Sequence, residues 1–245
     1  MRSERKSSQN LRRMVMVAMF TAMSYVAMLF IHIKVGFLTM DIKDAVITLC
    51  GLFFGPVSAL FISVLVPFIE LLTMSDTGLY GLIMNIIGSA AFSVTVALFY
   101  KWKKTLWGAV AGLVSGALIM TAVMMLANLF ITPYYMGTTM DAVRQMIPTL
   151  LLPFNLLKGV INVGAVLLLY KPLSRALHKM GILASKATRV PDEADFENGE
   201  NSPRYGTKSA FNKTSIAVSI VAVLLIAASL VLIFTVLGGK FDFGL

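Results

Sequence analysis

Asn155, Lys158 and Asn162 sit in the otherwise apolar stretch LLPFNLLKGVIN, at spacing i, i+3 and i+7. At about 100° per residue they fall within a helical stripe of roughly 60°. An ammonium group offers three hydrogen-bond donors, and each amide both donates and accepts. That chemistry suits a polar heteroaromatic or carbonyl-rich ligand, not hydrocarbon. A helix starting at Pro148 puts Lys158 about ten residues in, roughly 15 Å deep. A charge there costs at least about 2.5–3.5 kcal/mol on insertion scales. Lys158 therefore either faces a cavity or is held structurally, by snorkelling or by pairing with a backbone carbonyl or Glu70.

Other polar residues share that depth. Asn85 and Asn128 fall near the outer ends of the fourth and fifth apolar segments, and Asn155 near the outer end of the sixth. Each alone reads more often as a helix-packing hydrogen bond, but their common level favours one site. The outer loops that could close over it hold Phe37, Leu38, Thr39, Tyr134 and Tyr135. The tyrosines also match an interfacial aromatic belt. Asp44 reads as the N-cap of the second helix or as a ligand group. Asp41 and Asp44 do not form a catalytic dyad, because Lys43 lies beside them and no second acid motif follows.

Enzymatic and metal chemistry find little support. The sequence has no Walker A motif, no HExxH, no GxSxG and no CxxC pair. Cys50 is the single cysteine, so no internal disulfide can form, and His32 and His178 cannot supply a His-rich metal site. An intramembrane enzyme would have to work with Lys158, Glu70 and a few asparagines.

The elements that must position these residues are membrane helices. Of the 245 residues, 58% are hydrophobic and 13% charged, a composition of polytopic membrane proteins. Seven helices are expected, over 11–33, 45–54, 57–73, 79–100, 106–131, 148–170 and 215–237. Five basic residues precede position 14, but the apolar run 14–33 is too long for a signal-peptide core and ends in no small-residue cleavage site. Merging 45–73 into one helix would give roughly 43 Å, well beyond the hydrocarbon core, and Gly55-Pro56 is a strong breaker. Charge agrees with the split. Segments 1–13, 101–104 and 171–213 then face one side with 5, 3 and 8 basic residues, 16 of the 21. Lys34, Lys43, Arg144 and Lys240 face the other side, and Lys158 alone has no role in orientation. The net charge of +9 is thus read as membrane orientation, with a cytoplasmic N-terminus, and not as nucleic-acid binding.

Three units follow: a six-helix membrane domain over 1–177, a polar cytoplasmic linker over 178–213, and a seventh helix with a short tail over 214–245. The linker carries Asp192, Glu193, Asp195, Glu197 and Glu200 among Gly, Ser and Pro, and is expected to be disordered. The seventh helix is uniformly apolar and reads as a lipid-facing anchor. Gly108, Gly112 and Gly116 form a doubled GxxxG that permits a close helix crossing. Ala18 and Ala22 share one face of the first helix, a common pair that reads first as internal packing.

Several stretches in order, GFLTMDIKDAVITLCGLFFGP, LYGLIMNIIGSAAF, NLFITPYYMG and LLPFNLLKGVIN followed by YKPL, resemble one family. It is the riboflavin-specific S component (RibU family) of energy-coupling factor (ECF) transporters, and the resemblance covers about 11–177. PFNLLKG is its most specific segment and the AxxxA of the first helix its least. The resemblance implies an all-α membrane bundle of six helices, with ligand held near the outer face by the first loop and helices four to six. Residues matching Asn128, Asn155 and Lys158 would contact the flavin, and the face of Ala18 and Ala22 would dock on a transmembrane coupling subunit. Two cytoplasmic ATPase subunits would supply the energy in a bacterial cell membrane. Riboflavin is the implied ligand, with flavin mononucleotide (FMN) or an analogue as a second; no cofactor is implied. The candidate ligand residues are thus Phe37, Leu38, Thr39, Asp44, Asn85, Asn128, Asn155 and Lys158. An S component for another vitamin, an intramembrane enzyme and a scaffold are the alternatives. The seventh helix departs from the six-helix form.

Overall fold

The computed structural model describes residues 2–180, 182, 213–238 and 240–241. Helix α1 (Arg2–Phe30) leads into a hairpin of β1 (Ile33–Val35) and β2 (Leu38–Met40). Then come α2 (Lys43–Phe54), α3 (Pro56–Thr73), α4 (Gly78–Trp102) and α5 (Leu106–Met136). A short helix α6 (Met140–Met146) runs through one π-helical turn, Ile147–Leu151, into α7 (Leu152–Lys179). After residues outside the described set come α8 (Lys213–Thr235) and strand β3 (Lys240–Phe241).

Among the described residues, six helical stretches are long and apolar enough to cross a membrane: Leu11–Phe30, Pro56–Thr73, Gly78–Trp102, Trp107–Met136, Met140–Lys179 and Val218–Thr235. Helix α2 is not among them. Its 12 residues reach about 18 Å, well short of a bilayer. It is instead the buried hub of the bundle, packed against α1, α3, α4 and α7. Ten of its residues are buried, and these include Lys43 and Asp44.

The division of 45–73 into two helices holds. Gly55 takes φ +95° between α2 and α3, and Pro56 opens α3, where its missing N–H costs nothing. Lys43 near the start of α2 meets Glu70 near the end of α3 at 2.8 Å, so the two helices run antiparallel. At the turn end, Arg13 donates to the Phe54 carbonyl at 3.0 Å and to the Ser58 hydroxyl at 2.9 Å.

This turn end of the bundle is apolar and close-packed. Phe20 meets the Phe54 ring edge-on at 5.9 Å, and Phe53 stacks on Tyr170 at 5.5 Å. A Cβ on Gly51 would sit 2.9 Å from Ala59 and 3.0 Å from Ala97. The glycine pattern of α5 does what its spacing predicts. A Cβ on Gly112 or Gly116 would strike Phe99 or Val96 of α4 at 3.0 and 2.7 Å.

Several boundaries differ from those expected. The first helix stops at Phe30 instead of residue 33, because IKVGFLTM alternates apolar and polar residues and pairs as a hairpin. Its turn is Gly36-Phe37, with Gly36 at φ +60°, the left-handed value that a two-residue hairpin turn requires. The fifth helix continues five residues past 131 to Met136. The stretch before Pro148, read as loop, is helical from Met140, and α7 runs past 170 to Lys179. Pro148 and Pro153 lack the N–H of the α-ladder, and the π turn lies over and beside them. Of the expected linker, His178 and Lys179 belong to α7, and residues 183–212 lie outside the described residues.

Helix α8 is more than a lipid-facing anchor. Much of its surface is exposed, but Ala222, Ser229 and Ile233 are buried. It packs along α7, where a Cβ on Gly164 would meet Ile226 at 2.7 Å.

Candidate functional site

At the hairpin end of the bundle the helices and the hairpin surround a cavity of about 230 Å³ that opens to the protein surface. All eight candidate ligand residues line it: Phe37, Leu38, Thr39, Asp44, Asn85, Asn128, Asn155 and Lys158. They come from the hairpin, α2, α4, α5 and α7, and sequence separation hides that convergence. Tyr135 also lines the cavity, whereas Tyr134 is 72% exposed and is not part of the lining. Both tyrosines ride on α5 and not on a loop.

The hairpin explains how the wall is built. Ile33, Val35, Leu38 and Met40 are buried, and Lys34 and Thr39 between them are half-buried. The apolar set packs on Leu151, Phe154 and Ile161 of the α7 region, and Lys34 and Thr39 line the cavity. This is period-2 patterning on a very short scale.

A buried charge cluster forms part of this wall, with Asp44, Glu70, Asn85 and Lys158 lining the cavity and Asp41 and Lys43 outside the lining. Lys158 Nζ donates to the Thr39 carbonyl at 3.3 Å and to Asp41 Oδ2 at 3.1 Å, and its Nζ is 3.9 Å from Asp44 Oδ2. Lys43 Nζ donates to Glu70 Oε2 at 2.8 Å and to Asn85 Oδ1 at 3.2 Å, and lies 3.3 Å from Asp41. Asn85 returns a bond to Glu70 Oε1 at 3.1 Å. Asp44 accepts a short bond from the Ser89 hydroxyl. Burial alone would raise the Asp41 carboxyl, but the Lys158 and Lys43 ammonium groups outweigh it and hold it down at about 2. Removing one partner of such a buried pair leaves an uncompensated charge, which costs about 3–5 kcal/mol.

Three sequence readings are corrected here. Lys43 does not serve orientation from an outer loop; it is 1% exposed, inside the first turn of α2. Glu70 pairs with Lys43 and not with Lys158. Asp44 is not the N-cap, because α2 begins at Lys43, one residue before it. The N-terminal amides are met from elsewhere. Lys43 N donates to Asp41 Oδ1 at 3.1 Å, and Ala45 N donates to Asn162 Oδ1 at 2.9 Å.

The polar stripe of α7 therefore has two tasks. Asn162, fully buried, ties α7 to the start of α2 and is not among the cavity-lining residues. Asn155 donates to the Leu151 carbonyl at 2.8 Å, at the end of the π turn, and lines the cavity with Lys158. Across from them Asn128 donates to Met124 O at 2.8 Å and accepts from Thr132 at 2.9 Å.

The rest of the lining supplies apolar area. Met84, Met120, Met124 and Phe154 line the body. At the mouth Tyr135 lies 6.3 Å from Phe37 and 6.2 Å from Tyr80, ring to ring. Lys34 closes toward α4 through an ion pair with Asp76. Tyr80 and the methionines carried no signal separating them from ordinary membrane-helix residues. Among the described residues no group of three His, Cys, Asp or Glu side chains could hold a metal ion.

Ala18 and Ala22 lie outside this site. Both are exposed on α1, on a face with Leu11, Val15 and Leu29 that no other described helix covers. Internal packing, the first reading of this pair, is not its role in the chain.

A sequence model described as the substrate-specific component of ECF transporters matches residues 12–170. A riboflavin transporter, RibU, of Staphylococcus aureus is 27% identical over 183 residues, covering 70% of this chain and 95% of that one. RibU of Streptococcus thermophilus is 26% identical over 184 residues, covering 70% and 87%. A solved structure described as the S component of a bacterial ECF transporter superposes with TM-score 0.60 at 26% identity, over 69% of this chain and 98% of that one.

Proposed function

The chain belongs to the substrate-specific components of ECF transporters, and from that premise we propose that riboflavin is what it binds. It is a multi-pass membrane protein and a substrate-binding subunit, not an enzyme. The observation that supports riboflavin most is the chemistry of the cavity lining. A flat tricyclic ring needs apolar and aromatic walls, and Met84, Met120, Met124, Tyr80 and Tyr135 offer them. The carbonyl edge and ribityl hydroxyls need donors and acceptors at one end. Asn128, Asn155 and Lys158 offer both, and Lys158 has a third N–H beyond those given to Thr39 and Asp41.

Lys158 is pre-organised for this task. Its ammonium is fixed by Asp41, so little rotamer entropy remains to be lost on binding. The uncharged vitamin is preferred to FMN, because Lys158 and Lys34 are already paired with Asp41 and Asp76 and a phosphate would compete with those carboxylates. The names of both RibU relatives favour riboflavin over another vitamin.

In this reading the hairpin end faces outward and the N-terminus lies in the cytoplasm. The exposed face of Ala18 and Ala22 docks on a transmembrane coupling subunit driven by two ATPase subunits. The test is direct. Chain purified from cells grown with riboflavin is expected to be yellow, near one flavin per chain, and to quench added riboflavin fluorescence. A colourless protein that leaves riboflavin fluorescence unchanged sinks the assignment.

A further inference from the structure

Helix α8 and strand β3 lie beyond the region matched by the family, which ends at residue 170, and two observations tie them to the cavity. The first is a backbone ladder. Strand β3 pairs antiparallel with β1, Ile33 opposite Phe241 and Lys34 opposite Lys240, so the sheet order is β2-β1-β3. The second is packing. Ile233 is fully buried in the same apolar cluster as Ile33, Val35, Leu38 and Met40, with Leu230, Phe234 and Leu237 against it. Further down, α8 seats on α7 at Gly164, where only a glycine leaves room for Ile226 and the Ala222 carbonyl.

We propose that α8 and β3 form a strut that fixes the cavity-lining hairpin, so that this extension sets how fast ligand leaves. The physical argument concerns the free edge of β1. A two-stranded hairpin is marginal by itself in water. Without β3 the hairpin would rest on side-chain packing against α7 and α8, with one edge of β1 unpaired. With β3 the same hairpin is the centre and edge of a three-stranded sheet, and its apolar face is covered from two helices. Phe37, Leu38 and Thr39 lie on or beside its turn and line the cavity. Any path for ligand past this wall requires local opening of the hairpin, and opening must break the β1–β3 ladder as well. The remaining wall, from α4, α5 and α7, shares no strand ladder with β3 and should be less sensitive to its loss.

The proposal rests on the ligand reading only in its kinetic half, and the experiment separates the two. Compare the full chain with a chain ending at Gly238, which lacks β3 but keeps α8, by hydrogen exchange in detergent without ligand. Amides of the β1–β2 hairpin should exchange about tenfold faster in the shortened chain, and amides of α2 and α4 should not change. A second variant, Gly164→Leu, pushes α8 off α7 and should loosen the same hairpin from the other end. Riboflavin dissociation, followed as fluorescence recovery on dilution, should speed up about tenfold in step. Unchanged hairpin exchange in the shortened chain overturns the strut, whatever the ligand is. Faster exchange with no riboflavin bound by either chain upholds the strut and rejects the vitamin. Faster exchange with unchanged riboflavin dissociation overturns the link between strut and release.

Discussion

The two ends of the bundle are buried by opposite means. At the Gly55 turn, Phe20, Phe53, Phe54 and Tyr170 fill space, and Gly51 lets α2 lie directly on α3 and α4. No Asp, Glu, Lys, Arg or His side chain is buried there among the described residues. At the hairpin end, Asp41, Lys43, Asp44, Glu70 and Lys158 are buried together around an opening. Close packing makes the first end stiff in all directions. Directional bonds hold the second in shape while leaving volume empty, which packing alone cannot do. A site that must be both rigid and hollow is better framed by a satisfied polar network than by apolar contacts.

The comparison can be broken at its weakest assumption, that the hairpin-end charges serve ligand as well as fold. Lys158→Met should cost the most: roughly a hundredfold or more in riboflavin affinity, with up to about 3–5 kcal/mol of stability lost because buried Asp41 keeps only Lys43 as counter-charge. Fluorescence quenching and thermal unfolding in detergent measure the two. Adding Asp41→Asn to Lys158→Met should restore much of the melting temperature but not the affinity. Affinity that recovers along with stability would make the pair purely structural.

At the other end, Gly51→Val should lower stability by about 1–3 kcal/mol through overpacking against Ala59 and Ala97. The flavin stoichiometry of the folded fraction should not change; altered stoichiometry would mean that the two ends are coupled. Between these lies Asn155→Ala, expected to weaken riboflavin binding about 5- to 30-fold with little change in melting. Smallest for binding is Ala18→Trp on the exposed α1 face. Its dissociation constant should stay within about twofold, since α1 contributes no lining residue. Uptake by cells should nevertheless fail, and normal uptake would remove the docking role from that face.

Much of this architecture could be read from the amino acids. Length, apolar runs and the Gly-Pro break placed the six described helices long and apolar enough to cross a bilayer and the division of α2 from α3, because membrane burial leaves a strong compositional mark. The period of α7 put Asn155 and Lys158 on one face, and shared depth gathered Asn85 and Asn128 with them. The misses have a common cause. Lys43 looked like a loop cation because its acceptors, Glu70 and Asn85, come from other helices, 27 and 42 residues further along. Asn162 looked like part of the ligand face because nothing local shows that its acceptor is spent on Ala45 N. The hairpin was hidden because each strand is three residues long, too short for alternation to stand out. The grip of α8 on α7 depends on Gly164 facing Ala222 and Ile226, a pairing that a uniformly apolar helix does not announce.

The charge cluster also sets a timetable for biogenesis. Lys43 meets Glu70 only 27 residues later, so α2 and α3 can neutralise each other soon after they leave the ribosome. Asp41 waits for Lys158, and the start of α2 for Asn162, each 117 residues later. At ordinary elongation rates that interval is roughly 6–23 s. Throughout it a nascent chain holds an acidic group at the membrane with half of its counter-charge missing. Until α7 is made, Asp41 has only Lys43 as counter-charge, so the hairpin end reaches its final pairing long after the α2–α3 turn at Gly55 can form.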